Sequence, residues 1–172
     1  LCEKKLGHLT PRQIAQKIAQ IPQEYTFQFD FSVAEIVLSG RFPYLGFFKK
    51  YDSDDHEIAR ENMKLLDIEH LKNRPFSHLS GGEKQRVMIA RAFTQKTPII
   101  FLDEAASHLD LSHQIEMFLL LKEMSHQRGL TILFVSHDLS LTAEFADELI
   151  LLHGHTILAK GATEEVLTNE NV

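Results

Sequence analysis

The chain has 172 residues, 44% of them hydrophobic, enough to bury the core of one domain. Its net charge of −6, with Lys and Arg scattered rather than massed, argues against nucleic acid as the main partner. The single cysteine, Cys2, excludes an internal disulfide and fits a reducing, cytosolic setting, and the longest unbroken apolar run, residues 117–121, falls far short of the roughly 20 that a membrane helix needs.

Pro11 followed by Ile14, Ile18 and Ala19 predicts a short helix with proline in its first turn. Ile21-Pro22-Gln23 then ends a brief strand and opens a loop. Helices are expected over residues 32–40 and 53–66, the second with an apolar stripe of Ile58, Met63, Leu65 and Leu66 behind an acidic start at Asp52, Asp54 and Asp55. Between them residues 41–51 (RFPYLGFFKKY) read as a loop rich in aromatic and basic side chains. Ser80-Gly81-Gly82-Glu83 leads into a helix over 84–95 that turns Val87, Ile89, Ala90 and Phe93 inward, so residues 24–95 form a mostly helical block.

From Thr97 the pattern changes. Ile99-Ile100-Phe101-Leu102 and Ile132-Leu133-Phe134-Val135 are continuous apolar runs, as expected of strands buried on both faces. A helix over about 111–127 separates them, which makes a βαβ unit with two parallel strands and a right-handed crossover. A helix near 139–146 follows, and residues 149–152 and 156–159 flank His153-Gly154 as a hairpin. The fold class is α/β, a parallel sheet core with an inserted helical subdomain.

Parallel strands present functional groups at their carboxyl ends. There the two strands carry Asp103-Glu104 and Ser136-His137-Asp138, on one edge of the sheet. One of two adjacent carboxylates can hold Mg²⁺ through water while its neighbour takes a proton from an attacking water, and a histidine on that edge can contact a phosphoryl group. Singly, Asp103 is as readily a strand-end turn residue and His137 a loop histidine; their combination with the glycine-rich helix start favours function. At that start, Ser80 and Glu83 have capping-box spacing, while the two glycines let a phosphate approach the free N–H groups of the first turn. Either role suffices to explain these four residues alone.

Leu79-Ser80-Gly81-Gly82-Glu83, Ile99 through Asp103-Glu104, Ser107-His108-Leu109-Asp110 and His137 resemble, in that order, the signature, Walker B, D-loop and H-loop motifs of ATP-binding-cassette proteins. Pro22-Gln23 is similar to the family's Q-loop, and the resemblance covers essentially the whole chain. It implies a P-loop NTPase-type core and a dimer of cassettes with two ATP molecules sandwiched between them. Asp103 would organise Mg²⁺, Glu104 would be the general base, and Gln23 would sense the metal and the water. His137 would contact the γ-phosphate. Ser80, Gly81, Gly82 and Glu83 would serve the ATP held by the opposite subunit, and Asp110 would cross the interface besides capping the helix that starts at Leu111.

Two departures stand out. Ala105-Ala106 follow Glu104 where the family usually has Pro-Thr or Pro-Ser. No G-x-x-x-x-G-K-[ST] stretch occurs, since none of the eight glycines precedes a lysine. With Leu1 rather than Met at its start, the chain reads as a cassette truncated at its N-terminus, 1–172 being a partial nucleotide-binding domain with 1–23 and 96–172 in the α/β core. Leu9-Thr10-Pro11-Arg12, VLSGRFP at 37–43 and KGATEEVL at 160–167 are similar to the importers of iron–siderophore, haem or cobalamin. That group implies permease subunits docked near Gln23 and residues 42–48 (Phe42, Tyr44, Phe47 and Phe48 among them), a solute-binding protein beyond them, and a peripheral place on the cytoplasmic face of the membrane. A catalytically incompetent cassette acting as a binding partner, and a soluble cassette ATPase outside transport, are the alternatives. No metal site is expected at His153 and His155.

Overall fold

In a computed structural model of the chain, the structure describes residues 6–23, 27–46, 49–105 and 110–168. Three parallel strands, β1 (Ile18–Ile21), β2 (Ile99–Asp103) and β3 (Thr131–Val135), form a sheet in the order β1-β2-β3. Ile21 pairs with Leu102 and Asp103 with Val135, so all three carboxyl ends reach the same edge. That edge carries Gln23, Glu104 and His137.

The α/β class stands, with local corrections. Helix α1 is only Pro11–Ala15, because Ile18 and Ala19 pair with Ile99 and Ile100 and are drawn into β1. β2 and β3 are not buried on both faces. Ile100 and Leu102 are buried while Ile99, Phe101 and Asp103 are half-buried, and on β3 Leu133 and Val135 are exposed among the described residues. The helix expected over 111–127 is α5 (Leu111–Arg128), closed by Gly129 in the left-handed conformation with φ +62°. It buries Met117, Phe118, Leu121 and Met124, and the Phe118 ring lies 5.0 Å from Phe134 and 5.4 Å from Phe145 of α6 (Leu139–Phe145). Burial of each such side chain contributes about 1.5–3 kcal/mol. The hairpin is longer than expected, β4 (Glu148–His153) against β5 (Thr156–Ala162) with a bulge at Leu151/Leu152, and its turn is Gly154-His155, both at positive φ.

Between β1 and β2 every element among the described residues is helical. α2 (Val33–Leu38), α3 (Ser53–Leu65) and α4 (Gly81–Thr94) pack on Val33, Ile36, Val37, Ala59, Met63, Val87, Ile89 and Phe93, continuous with the core under the sheet. Each helix begins with a completed capping box, Ser32 with Glu35, Asp52 with Asp55 and Ser80 with Glu83. α4 therefore starts at Gly81, a turn before the predicted residue 84. Residues 41–51 are not all loop. A 3₁₀ helix runs Ser39–Tyr44, because Pro43 has no N–H with which to continue α2. Gly40 in that turn sits against the last turn of α4, where a Cβ would meet the Arg91 carbonyl oxygen at 2.4 Å.

Candidate functional site

The predicted residues gather in two groups. The first lies at the strand ends. Gln23, two residues past β1, donates from Nε2 to Oε2 of Glu104 at 2.9 Å. The other oxygen of Glu104, Oε1, lies 3.8 Å from Nδ1 of His137, which follows β3. The ends of β1 and β3 thus bring Gln23 and His137 to the one carboxylate that follows β2, from sequence positions 81 and 33 residues away. Glu104 sits at φ +45°, a left-handed conformation that costs a non-glycine residue about 1–2 kcal/mol, and its N–H donates to the Val135 carbonyl at 3.3 Å. That turn aims the side chain back across the strand ends. Its carboxylate is a third exposed, so water reaches it. Asp103 precedes it as the last residue of β2, half-buried.

The donors at this edge suit a hard cation. Asp103 offers a carboxylate, and Gln23, its Nε2 committed to Glu104, has its carbonyl oxygen left to offer; Mg²⁺ takes oxygen donors and few protein ligands. Among the described residues no cluster of three His, Cys, Asp or Glu side chains could hold a metal alone.

The second group surrounds the start of α4. Ser80 Oγ accepts the Glu83 N–H at 3.3 Å, and Glu83 Oε2 accepts the Ser80 N–H at 2.7 Å. The Ser80 backbone N–H and then its hydroxyl hold the Glu83 carboxyl below the usual carboxylate range, with Arg74 at 3.7 Å adding to it. Gly81 has nothing within 4 Å of where a Cβ would stand. Neither packing nor a positive φ demands glycine there. Asp110 caps α5, accepting the His113 N–H at 3.0 Å and pairing with His113 Nδ1 at 2.7 Å; these two contacts, the backbone one first, lower its pKa. The other edge of the His113 ring faces Gly82, 3.4 Å from the position of a Cβ. Ser80, Gly81, Gly82, Glu83, Asp110 and His113 line one open groove of about 550 Å³. His113 escaped the sequence reading, although its place three residues after an N-cap aspartate was a usable signal. Ser107, His108, Leu109, Phe47 and Phe48 lie outside the described residues. No hydrogen bond or ion pair among the described residues joins the two groups.

Two clusters of this kind, one of acid–base groups at strand ends and one at a glycine helix start, meet a family pattern described as ABC transporter, which matches residues 3–107. The chain belongs to the ABC transporter family. Over 165 residues it is 36% identical to the ferric enterobactin transport ATP-binding protein FepC of Escherichia coli K12, covering 96% of this chain and 61% of that protein. It is equally identical, over 171 residues, to the hemin import ATP-binding protein HmuV of Rhodococcus jostii RHA1, covering 99% and 57%. A metal-chelate-type ABC transporter in an inward-facing conformation superposes with a TM-score of 0.86 at 34% identity, over 90% of this chain and 61% of that one. The chain spans about three-fifths of the length of these relatives. The expectation of a parallel-sheet core of P-loop NTPase type holds in this likeness.

Proposed function

We propose that the protein containing this chain is the ATP-binding and ATP-hydrolysing subunit of an importer for metal chelates of the siderophore, haem or cobalamin type. The observation that carries the chemistry is the convergence of Gln23 and His137 on Glu104 at the strand ends. Glu104, oriented by Gln23 and open to water, is the general base that takes the proton of the attacking water. His137 stands beside it as the contact to the γ-phosphate. Asp103 and the Gln23 carbonyl would hold Mg²⁺, which when bound neutralises charge developing on the phosphates. Because the chain spans three-fifths of its relatives, hydrolysis is assigned to the whole protein.

The free space at Gly81 supports a second role for the groove at α4. Ser80, Gly81 and Gly82 bind the γ-phosphate of ATP held by a second cassette, with Glu83 fixing the turn and Asp110 facing the dimer interface. Its separation from Glu104 within one chain accords with a site completed across a homodimer. Residues 24–95 act as the helical subdomain, and 1–23 with 96–172 as part of the α/β core. Phe42, 71% exposed, and Tyr44 present an aromatic surface on which, together with the Gln23 loop, permease subunits dock; the protein then works on the cytoplasmic face of the membrane, with a solute-binding protein serving the permease from the far side. No helix among the described residues is long and apolar enough to cross a membrane.

The test is Glu104→Gln in the full-length protein. Mg-ATP binding is expected to persist while turnover falls about a hundredfold or more, as loss of a general base requires. Turnover near wild type would remove Glu104 from that role.

A further inference from the structure

The aromatic turn Ser39–Tyr44 is held from two sides by two arginines. From within the helical block, Arg41 Nε donates to Asp55 Oδ1 at 2.8 Å and Nη1 to the Thr94 carbonyl at 3.3 Å, with its guanidinium 4.2 Å from the Tyr44 ring centre. From the other side comes α1, the short helix just before β1. Arg12 Nε donates to the Pro43 carbonyl at 2.9 Å and Nη2 to the Leu45 carbonyl at 2.6 Å. Gln16 Nε2 reaches the same Pro43 oxygen at 2.8 Å. These carbonyls lie at the end of a 3₁₀ helix, where backbone acceptors look outward for donors, and a forked cation fits them. α1 is itself anchored, since Gln95 at the end of α4 donates to the carbonyls of Ala15 and Ile18.

The two arginines differ in kind. The Arg41–Asp55 pair is mostly buried, with side-chain exposures of 13% and 11%, and belongs to the fabric of the helical block. Arg12's bonds are exposed, and water would satisfy Pro43 and Leu45 if the arginine were absent. What the fork supplies is therefore geometry. It ties the turn carrying Phe42 to α1, the helix that leads into β1.

We propose that Arg12, assisted by Gln16, is a positioning residue that holds the Phe42–Tyr44 turn against α1 in the shape on which a permease subunit docks. This rests on the docking of permease subunits at Phe42 and Tyr44. The experiment uses the full-length subunit co-expressed with its own membrane subunits, carrying Arg12→Ala, Arg12→Lys or Phe42→Asp. It measures the subunit retained per tagged membrane subunit, the ATPase rate of the free subunit, and the thermal midpoint.

Arg12→Ala is expected to cut retention about tenfold while free ATPase stays within about twofold and the midpoint within about 2 °C. Arg12→Lys, an ammonium able to serve one carbonyl but not the fork, is expected to lose about threefold. If Phe42→Asp abolishes retention while Arg12→Ala keeps it, the docking surface stands and the role of Arg12 falls. If Phe42→Asp also keeps it, the docking surface itself is wrong and the proposal goes with it. A fall in free ATPase or in midpoint alongside retention would make Arg12 a support of the site or the fold, which overturns the proposal too.

Discussion

Substituting Gly40 by Ala tests the packing that joins the aromatic turn to α4. The added Cβ would stand 2.4 Å from the Arg91 carbonyl oxygen, and 3.2 Å from both the Gln95 nitrogen and the Thr94 Cβ. A carbon and a carbonyl oxygen approach no closer than about 3.3 Å in ordinary weak contacts, so about 0.9 Å must be found. Two of the three neighbours are backbone, and they belong to one hydrogen bond, Gln95 N–H to Arg91 O at 3.2 Å, so the clash cannot be relieved by a rotamer change. Overpacking of this kind costs about 1–3 kcal/mol, and the stiffness of the neighbours puts Gly40 near the top of that range. The unfolded chain loses entropy with alanine, which returns about 0.4–1 kcal/mol. The net is about 2 kcal/mol, a fall of roughly 4–8 °C in midpoint for a chain of this size. Urea titration followed by far-UV circular dichroism reads it, with Gly81→Ala as the control. Gly81 has open space and an ordinary helical φ, so alanine there is expected to leave stability unchanged or raise it by up to about 1 kcal/mol. Equal stability of Gly40→Ala and wild type would refute the close seating of the turn on α4.

Asp55→Ala is expected to destabilise by about 3 kcal/mol in the same titration, since it strands the mostly buried Arg41 guanidinium without its carboxylate; adding Arg41→Met should recover part of the loss. The Glu83 carboxyl is held below its ordinary pKa in the folded state, so its contribution to stability is present above the unfolded value and is lost as pH falls through the folded one. The stability gap between wild type and Glu83→Gln should therefore be full at pH 7 and shrink as pH falls below the ordinary glutamate range, measured by urea titration at each pH. Gln23→Ala and His137→Ala in the full-length protein should each lower ATPase turnover at least tenfold with the circular dichroism spectrum unchanged, and wild-type rates in either would detach that residue from Glu104's chemistry.

What the sequence made legible was local. Ser80 and Glu83 announce their capping box by spacing alone, and the apolar runs at 99–102 and 132–135 mark strands whose ends must carry Glu104 and His137 to one edge. The misreadings came where one pattern served two elements. Ile14, Ile18 and Ala19 match a helical period, but pairing with Ile99 and Ile100 outweighs propensity over so short a stretch and converts the second half into β1. Pro43 inside a run read as loop tightened it into 3₁₀ turns instead. Arg12's grip on Pro43 and Leu45 spans 31 and 33 residues and leaves no local periodicity, so no window along the chain reveals it. The contact of His113 with Gly82 is of the same long-range kind, even though its pairing with Asp110 is local.

The left-handed backbone at Glu104 makes position 104 answer to two separate tests. A library of all residues at that codon would be sorted once by folding and once by turnover, and the two rankings would disagree. Folding favours Gly, Asn and Asp, which enter that region of φ at least cost, and penalises Val, Ile and Thr, whose branched Cβ crowds it. Turnover, if Glu104 is the base, favours glutamate alone. A library selected for stability only would be expected to drift toward glycine at this codon, relieving a strain of about 1–2 kcal/mol, whereas one selected for turnover would return to glutamate if Glu104 is the base.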